Sequence, residues 1–295
     1  MSRKLVVITG SNRGIGQGII QLLAKTKHQP PLTIYATSRS GTDLNIQAAH
    51  GNEVRYSKLD VGDKSSISAF LRSTLKDHQA IDVLINNAGI NNNNRETPEL
   101  AAQTIDVNYR GTKEMCELFL SQGGMAKNKG SRIVNVSSTA CQLSNYAPSI
   151  QEQFRAVKSL SDIDTLASSY LSAIQTGANV QADSGWGSSP KSYQVSKALI
   201  NALTVVLAGQ NTGVLVNCCC PGWVDTDMGH QVGRPPKTLE EGARIPVRLA
   251  VGELGSKGSK GDGDGGLGTG TEEVSGRYFG NDGVGERGWG RVREW

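Results

Sequence analysis

Short apolar runs alternate with segments of helical periodicity along most of the chain. The apolar runs predict six strands, at Leu5–Thr9, Thr33–Thr37, Val54–Leu59, Val83–Asn86, Arg132–Ser137 and Val214–Cys219. Apolar positions at helical spacing predict four main helices, at Ile15–Thr26, Ser65–Lys76, Thr104–Leu120 and Ser196–Leu207. Because strands that alternate with helices need crossover connections, we expect an α/β fold with a doubly wound parallel sheet.

Two stretches interrupt this alternation. Residues 141–192 form a long polar segment with helical patterns at Ile150–Val157 and Ile163–Ile174, and we expect a helical insertion there. Residues 252–270 are rich in glycine and are expected to form a flexible loop, since they offer little apolar surface to bury. A last strand is predicted at Val274–Phe279, so residues 1–295 are expected to form a single domain.

Composition and charge narrow the function classes. The chain has 295 residues with 37% hydrophobic and 20% charged positions, which is typical of a soluble globular enzyme. A net charge of +4 without a basic cluster argues against a nucleic-acid partner, and the sequence shows no apolar run of membrane-helix length. The five cysteines and the absence of a signal peptide favour reduced thiols in a cytoplasmic protein, and the adjacent cysteines 218–220 are not expected to bind metal.

A glycine-rich turn joins the first strand to the first helix. Gly10 permits a tight turn, and Gly14 and Gly16 let the backbone approach a pyrophosphate that the helix N-terminus attracts. The string Gly283–Gly288 also matches a common dinucleotide motif, but it opens no predicted helix and is interpreted as a surface tail. The first turn is therefore the candidate phosphate site.

A tyrosine and a lysine one helical turn apart form the candidate catalytic pair. Tyr193 could donate a proton to a reduced carbonyl, and a nearby cation such as Lys197 would lower the tyrosine pKa. Tyr109 and Lys113 have the same spacing, but Tyr109 is interpreted as a packing residue because of its position in the chain. A serine hydroxyl at the end of the fifth predicted strand could stabilise the oxyanion, with Ser137 and Ser138 as the candidates.

Taken together, these motifs resemble the short-chain dehydrogenases/reductases, which have a Rossmann fold, over residues 5–228. The resemblance selects Ser138 over Ser137 and implies a catalytic set of Asn108, Ser138, Tyr193 and Lys197, with Asn108 anchoring a proton relay. It also implies a set of cofactor contacts: Gly10, Asn12, Arg13, Gly14, Ile15, Gly16, Asp60, Val61, Asn87, Ala88, Gly89, Tyr193, Lys197, Pro221, Gly222, Val224 and Thr226. Asp60 could equally cap the next helix, Asn108 could be a simple helix kink, and residues 91–94 are interpreted as a polar loop.

The cofactor is expected to be NADPH. No acidic residue ends the second predicted strand, whereas Arg39 follows it and Arg13 lies in the glycine turn. An arginine fork suits a ribose 2′-phosphate, while an acid would suit the free hydroxyl of NAD. Each arginine alone could be an ordinary surface charge.

The spacing of the candidate residues resembles one branch of the family. Ser138 and Tyr193 are 55 positions apart, which resembles the monomeric NADPH carbonyl reductases and implies a monomer that reduces aldehydes, ketones or quinones. Two alternatives stay open: a ketoreductase or alcohol dehydrogenase with a narrow biosynthetic substrate, and a regulator that senses NADP(H) without turnover. A sensor would not need all four candidate catalytic residues.

Overall fold

The computed structural model describes residues 3–252 and 274–295, and in these ranges the strands form one eight-stranded sheet. The strands are β1 (Lys4–Ile8), β2 (Leu32–Ser38), β3 (Glu53–Lys58), β4 (Val83–Asn86), β5 (Ser131–Val136), β6 (Val214–Cys219), β7 (Tyr278–Gly280) and β8 (Arg291–Arg293). Their order is β3-β2-β1-β4-β5-β6-β7-β8, and only the last pairing is antiparallel. The predicted doubly wound α/β fold is confirmed.

Helices cover both faces of the sheet. They are α1 (Gly14–Lys25), α2 (Lys64–Thr74), α3 (Pro98–Ile105), α4 (Gly111–Ser121), α5 (Pro148–Ala156), α6 (Leu160–Thr176), α7 (Ala178–Gln181), α8 (Ser192–Gln210) and α9 (Leu239–Val251). On one face, α1 and α9 build a core around Ile19 and Ile245. On the other face, α2, α4, α6 and α8 build a larger core. None of the helices in the described ranges is long and apolar enough to cross a membrane.

The helix predicted at Thr104–Leu120 begins earlier and contains an irregular turn. It starts at Pro98 and passes through a π-helical turn, Asp106–Arg110, before it continues as α4. Thr97 caps this start, because its side-chain oxygen accepts a hydrogen bond from the Leu100 N–H. A threonine cap followed by proline at the first helical position is a recognised start signal for a helix. The predicted start at Thr104 was too late because it was based on the apolar pattern alone.

The C-terminal region differs most from the sequence-based prediction. The strand predicted at Val274–Phe279 begins only at Tyr278, because Gly276 has a φ of +74°, which a regular strand cannot contain. Residues 283–288 do not form a free tail, since they connect β7 to β8 and the Val284 carbonyl accepts a hydrogen bond from the Trp223 N–H. The glycine-rich loop predicted at residues 252–270 lies almost entirely outside the described residues.

The segment predicted as a helical insertion, residues 141–192, packs through aromatic side chains. Trp186 is buried and meets the rings of Tyr146, Phe154 and Tyr170 at centroid distances of 5.9, 6.2 and 5.4 Å. The C-terminal Trp295 adds a further edge contact with Phe154. This segment is therefore part of the larger core that includes α8, and it ends directly before the candidate tyrosine.

The second tyrosine–lysine pair ties this insertion to the rest of the protein. The Tyr109 hydroxyl and the Lys113 ammonium donate hydrogen bonds to the two carboxylate oxygens of Asp164 in α6, at 2.8 and 2.5 Å. Tyr109 is fully buried, as expected of a packing residue.

Candidate active site

The glycine turn lies at the carboxyl end of β1 and requires residues without side chains. Gly10 has a φ of +63°, and a Cβ there would lie 2.8 Å from the Ala88 Cα. A Cβ on Gly16 would lie 2.3 Å from the Gly10 carbonyl oxygen. The turn therefore packs backbone against backbone, which leaves its outer side open to a ligand.

The first turn of α1 offers unpaired donors to that ligand. Arg13 precedes the helix without a side-chain capping bond, and the first helical hydrogen bond runs from the Gln17 N–H to the Arg13 carbonyl. Helix geometry thus leaves the N–H groups of Gly14, Ile15 and Gly16 for an external acceptor. Such donors at the positive end of a helix fit the pyrophosphate of a dinucleotide.

The end of β4 is joined to the same turn. The backbone N–H groups of Asn87 and Ala88 donate to the Thr9 hydroxyl, both at 3.0 Å. The Asn87 amide nitrogen donates to the Thr9 and Gly10 carbonyl oxygens, also at 3.0 Å. Gly89 follows at the edge of the site, where a Cβ would lie 3.8 Å from the Lys197 Nζ.

The loop after β6 crosses the mouth of the glycine turn. A Cβ on Gly14 would lie 3.2 Å from the Thr226 methyl group, so the two loops approach each other closely. The Thr226 hydroxyl donates to the Val224 carbonyl oxygen. The structure therefore brings Thr226 close to the glycine turn, and Val224 lies two residues before it in the same loop.

A buried lysine supports this loop from behind. Lys237 is 1% exposed, and its Nζ donates to the Pro221 carbonyl oxygen at 2.7 Å. Burial lowers the pKa of Lys237. Gly222 packs directly against it, because a Cβ there would lie 2.7 Å from the Lys237 Nζ. Sequence reasoning missed Lys237, since a lysine after two prolines carries no recognisable pattern.

The two arginines expected to bind the ribose 2′-phosphate of NADPH lie near the glycine turn. The Ser11 N–H and hydroxyl both donate to the Thr37 carbonyl, which fixes the end of β2, and hence Arg39, beside the glycine turn. Arg39 is exposed, and Arg13 is also exposed and pairs with Asp227 at 2.9 Å.

Asp60 and Val61 follow β3 at the same edge of the sheet. The alternative capping role considered for Asp60 belongs instead to Asp63, whose carboxylate caps α2. The Asp60 carboxylate accepts a hydrogen bond from the Gly62 N–H within its own turn.

Ser138, Tyr193 and Lys197 come together where β5 ends. Ser138 lies two residues after the end of β5, and its hydroxyl is close enough to Tyr193 to lower the pKa of the tyrosine. The Lys197 Nζ lies 5.5 Å from the centre of the Tyr193 ring and donates to the Val136 carbonyl oxygen at 2.8 Å. Helix α8 begins at Ser192, four residues before its predicted start, so Tyr193 and Lys197 share its first turns.

The protonation of this pair differs from the expectation. Burial raises the pKa of Tyr193 to about 12. The Ser138 side chain has a smaller, opposite effect and lowers this pKa. Burial also lowers the pKa of Lys197 to about 8. Desolvation thus shifts the tyrosine pKa in the direction opposite to the one predicted from the lysine, and it keeps the phenol protonated near neutral pH. A protonated phenol is the form that an acid catalyst needs.

Asn108 lies within the π-helical turn and is fully buried. Its Oδ1 accepts a hydrogen bond from the Ile90 N–H, and its Nδ2 donates to the Ile90 carbonyl oxygen and to the Ser196 hydroxyl. The Ser196 hydroxyl in turn donates to the Tyr193 carbonyl oxygen. The helix irregularity and the hydrogen-bonded link to α8 therefore occur at the same residue, and π-helical turns are often found at functional sites.

A cavity of about 550 Å³ opens beside Thr139, the residue that follows Ser138 in the chain. Thr139 and Gln142, after β5, line one side, and Asn281 and Arg293, from the β7–β8 region, line the other. Its volume is in the range of small-molecule pockets, and its lining combines polar side chains with the apolar Val292.

A glycine turn that opens a helix and a hydroxyl–tyrosine–lysine group at the carboxyl edge of one parallel sheet are the arrangement typical of a dinucleotide-dependent oxidoreductase. The family model for short chain dehydrogenase matches residues 4–150. NADPH carbonyl reductase 1 of Mus musculus is 34% identical over 262 residues, which cover 85% of this chain and 91% of the relative. The chain belongs to the short-chain dehydrogenase family.

Other relatives come from plants. The (+)-neomenthol dehydrogenase of Arabidopsis thaliana is 30% identical, with 84% of this chain and 91% of the relative covered. Among solved structures, salutaridine reductase from Papaver somniferum superposes with a TM-score of 0.72 at 27% identity, over 85% of this chain and 96% of that one. The fold extends over nearly the whole length of these enzymes.

Proposed function

We propose that the protein reduces the carbonyl groups of aldehydes, ketones and quinones to alcohols with NADPH, and that Tyr193 is the general acid. The observation that carries this proposal is the meeting of Ser138, Tyr193 and Lys197 beside the phosphate turn. The relatives named NADPH carbonyl reductase support the cofactor and the reaction. Consumption of NADPH by the purified protein with a mixed panel of carbonyl compounds tests the proposal.

Each catalytic side chain has a separate task in this proposal. NADPH held at the glycine turn would supply the hydride for the carbonyl carbon. The Ser138 hydroxyl donates a hydrogen bond to the substrate oxygen, and Tyr193 gives that oxygen its proton. The Lys197 cation stabilises the phenolate that remains, and Asn108 holds the helix turn through which a proton relay would return a proton to Tyr193.

The polar cavity beside Thr139 supports a substrate with polar substituents. The carbonyl would lie at Ser138 and Tyr193, and the rest of the molecule would extend toward Gln142 and Asn281. A narrower biosynthetic ketoreductase is the second candidate function. The likeness to neomenthol dehydrogenase and salutaridine reductase favours it, because both of those names specify one substrate or product.

Cofactor selection should depend on Arg39. In Arg39→Asp, the affinity for NADPH should fall at least about tenfold more than the affinity for NADH, because a charged hydrogen bond to the 2′-phosphate contributes about 1.5–3 kcal/mol. Titration of both cofactors into the variant and into the exposed control Arg95→Asp measures the effect. An equal loss for NADPH and NADH would remove Arg39 from cofactor selection.

We also propose that the protein is a monomer in the cytoplasm. All five cysteines are free and buried, which suits a reducing compartment. Residues of α6 pack against α8, so the surface of α8 that they cover is not available to another subunit. Sedimentation at micromolar concentration should therefore give a single species of about 31.3 kDa. A tetramer would contradict this assignment of the insertion.

A further inference from the structure

Helix α8 begins without a cap of its own. Lys191 occupies the position before the helix, and its side chain makes no capping hydrogen bond. The first N–H groups of a helix have no partner within the helix, and an uncapped end frays. Tyr193 is the second residue of α8, so whatever satisfies these donors also fixes the direction of its side chain.

Glu96 supplies part of the missing cap from far along the chain. One carboxylate oxygen accepts hydrogen bonds from the Lys191 N–H at 3.0 Å and the Ser189 hydroxyl at 2.8 Å. The other oxygen accepts from the Ser192 N–H at 2.8 Å. A carboxylate at this end of a helix is also favoured by the helix dipole.

Asn93 supplies the remaining part of the α8 cap and forms a hydrogen bond with the backbone of Tyr193 itself. Its Oδ1 accepts a hydrogen bond from the Tyr193 N–H at 3.1 Å and from the Ser192 hydroxyl at 3.2 Å. Its Nδ2 donates to the Gln194 Oε1 at 2.7 Å. Both polar ends of the Asn93 side chain are therefore used on the first turn of α8.

The segment that carries these two residues is itself held in place. The buried Asn92 amide donates to the Gln103 Oε1 at 3.2 Å and to the Thr104 hydroxyl at 3.3 Å. At the other end, the Ile90 N–H is bound by the Asn108 Oδ1. The residues interpreted from sequence as a polar loop thus form a fixed support between the candidate catalytic Asn108 and α8.

We propose that Asn93 and Glu96 are positioning residues that hold Tyr193 at the substrate carbonyl, an inference that rests on the proposed function. Ser138 follows β5 and the Lys197 Nζ is bound by the Val136 carbonyl, so both are also held by contacts outside this cap. Loss of the cap would move Tyr193 relative to both. A displacement of about 1 Å of a reacting group can lower a rate about 100-fold.

The test compares variants of neighbouring residues. Asn93→Ala should lower kcat at least about tenfold through misplacement of Tyr193. Asn93→Asp keeps the acceptor oxygen and should restore most of the rate. The Kd for NADPH should stay within about twofold in each, since the phosphate turn is untouched. Asn94→Ala, at an exposed position of the same segment, is the matched control and should behave as wild type.

Glu96→Asp provides a second variant that keeps the charge and the fold but shortens the reach. It should also lower kcat with little change in NADPH affinity. Amide hydrogen exchange at Ser192 and Tyr193, which needs no turnover, should become faster in Asn93→Ala and Glu96→Asp. Unchanged exchange, or a kcat within about twofold of wild type in folded Asn93→Ala and Glu96→Asp, would overturn the proposal. An inactive wild type with protected amides would instead reject the proposed function.

Discussion

Replacing Tyr193 with phenylalanine should abolish carbonyl reduction while NADPH binding stays nearly unchanged. The variant lacks the hydroxyl that would donate the proton and keeps the ring that faces the Lys197 ammonium. A positioned general acid contributes about 10²- to 10⁴-fold to a rate, so kcat should fall by that factor. Single-turnover kinetics with saturating NADPH, together with cofactor titration, separate the two effects.

Tyr109→Phe is the matched control for that variant. Tyr109 has the same spacing to a lysine as Tyr193 does, but its hydroxyl binds Asp164 in the insertion. Its loss should lower the free energy of unfolding by about 1 kcal/mol and leave kcat unchanged. Turnover by Tyr193→Phe at the wild-type rate would disprove the assignment of the acid.

Replacing Lys197 with methionine should have an effect of similar size. The variant removes the cation that stabilises the Tyr193 phenolate, and the loss of one well-placed electrostatic contact typically lowers kcat about 10²- to 10³-fold. Because burial lowers the pKa of Lys197 to about 8, the wild-type cation is present below that pH and is lost above it. Wild-type kcat/KM should therefore decline as the pH rises through about 8.

Lys197→Arg separates the charge from the other roles of this side chain. An arginine stays charged throughout the accessible pH range, so whatever activity remains should lack the decline above about pH 8. Lys113→Met removes the lysine of the other tyrosine–lysine pair and should keep the wild-type pH profile. If kcat/KM of Lys197→Arg declines above about pH 8 as in the wild type, the decline arises from a group other than Lys197.

The sequence predicted the parallel sheet and its phosphate turn because both depend on local patterns. Buried strands appear as continuous apolar runs, and Gly10, Gly14 and Gly16 occur at a strand–helix junction where backbone must approach backbone. Helix α9 was missed although Thr238 and Glu241 form a capping box at its start. That start signal is local too, so it could have been found.

Contacts between distant parts of the chain could not be predicted in this way. Asn93 and Glu96 reach the start of α8 only because the sheet order places β4 next to β5, and nothing near either residue indicates that contact. The pKa of Tyr193 depends on burial by several segments, so spacing to Lys197 alone predicted the wrong direction of its shift.

The central claim is that this site reduces carbonyl groups with NADPH. The most direct test is cofactor consumption by the purified protein with a panel of quinones, aldehydes and ketones, with NADPH and NADH measured in parallel and the Tyr193→Phe variant as the blank. We predict turnover of several panel members, with NADPH preferred and the blank inactive. Tight NADPH binding without consumption for every substrate would contradict the account and favour a sensor of the cofactor.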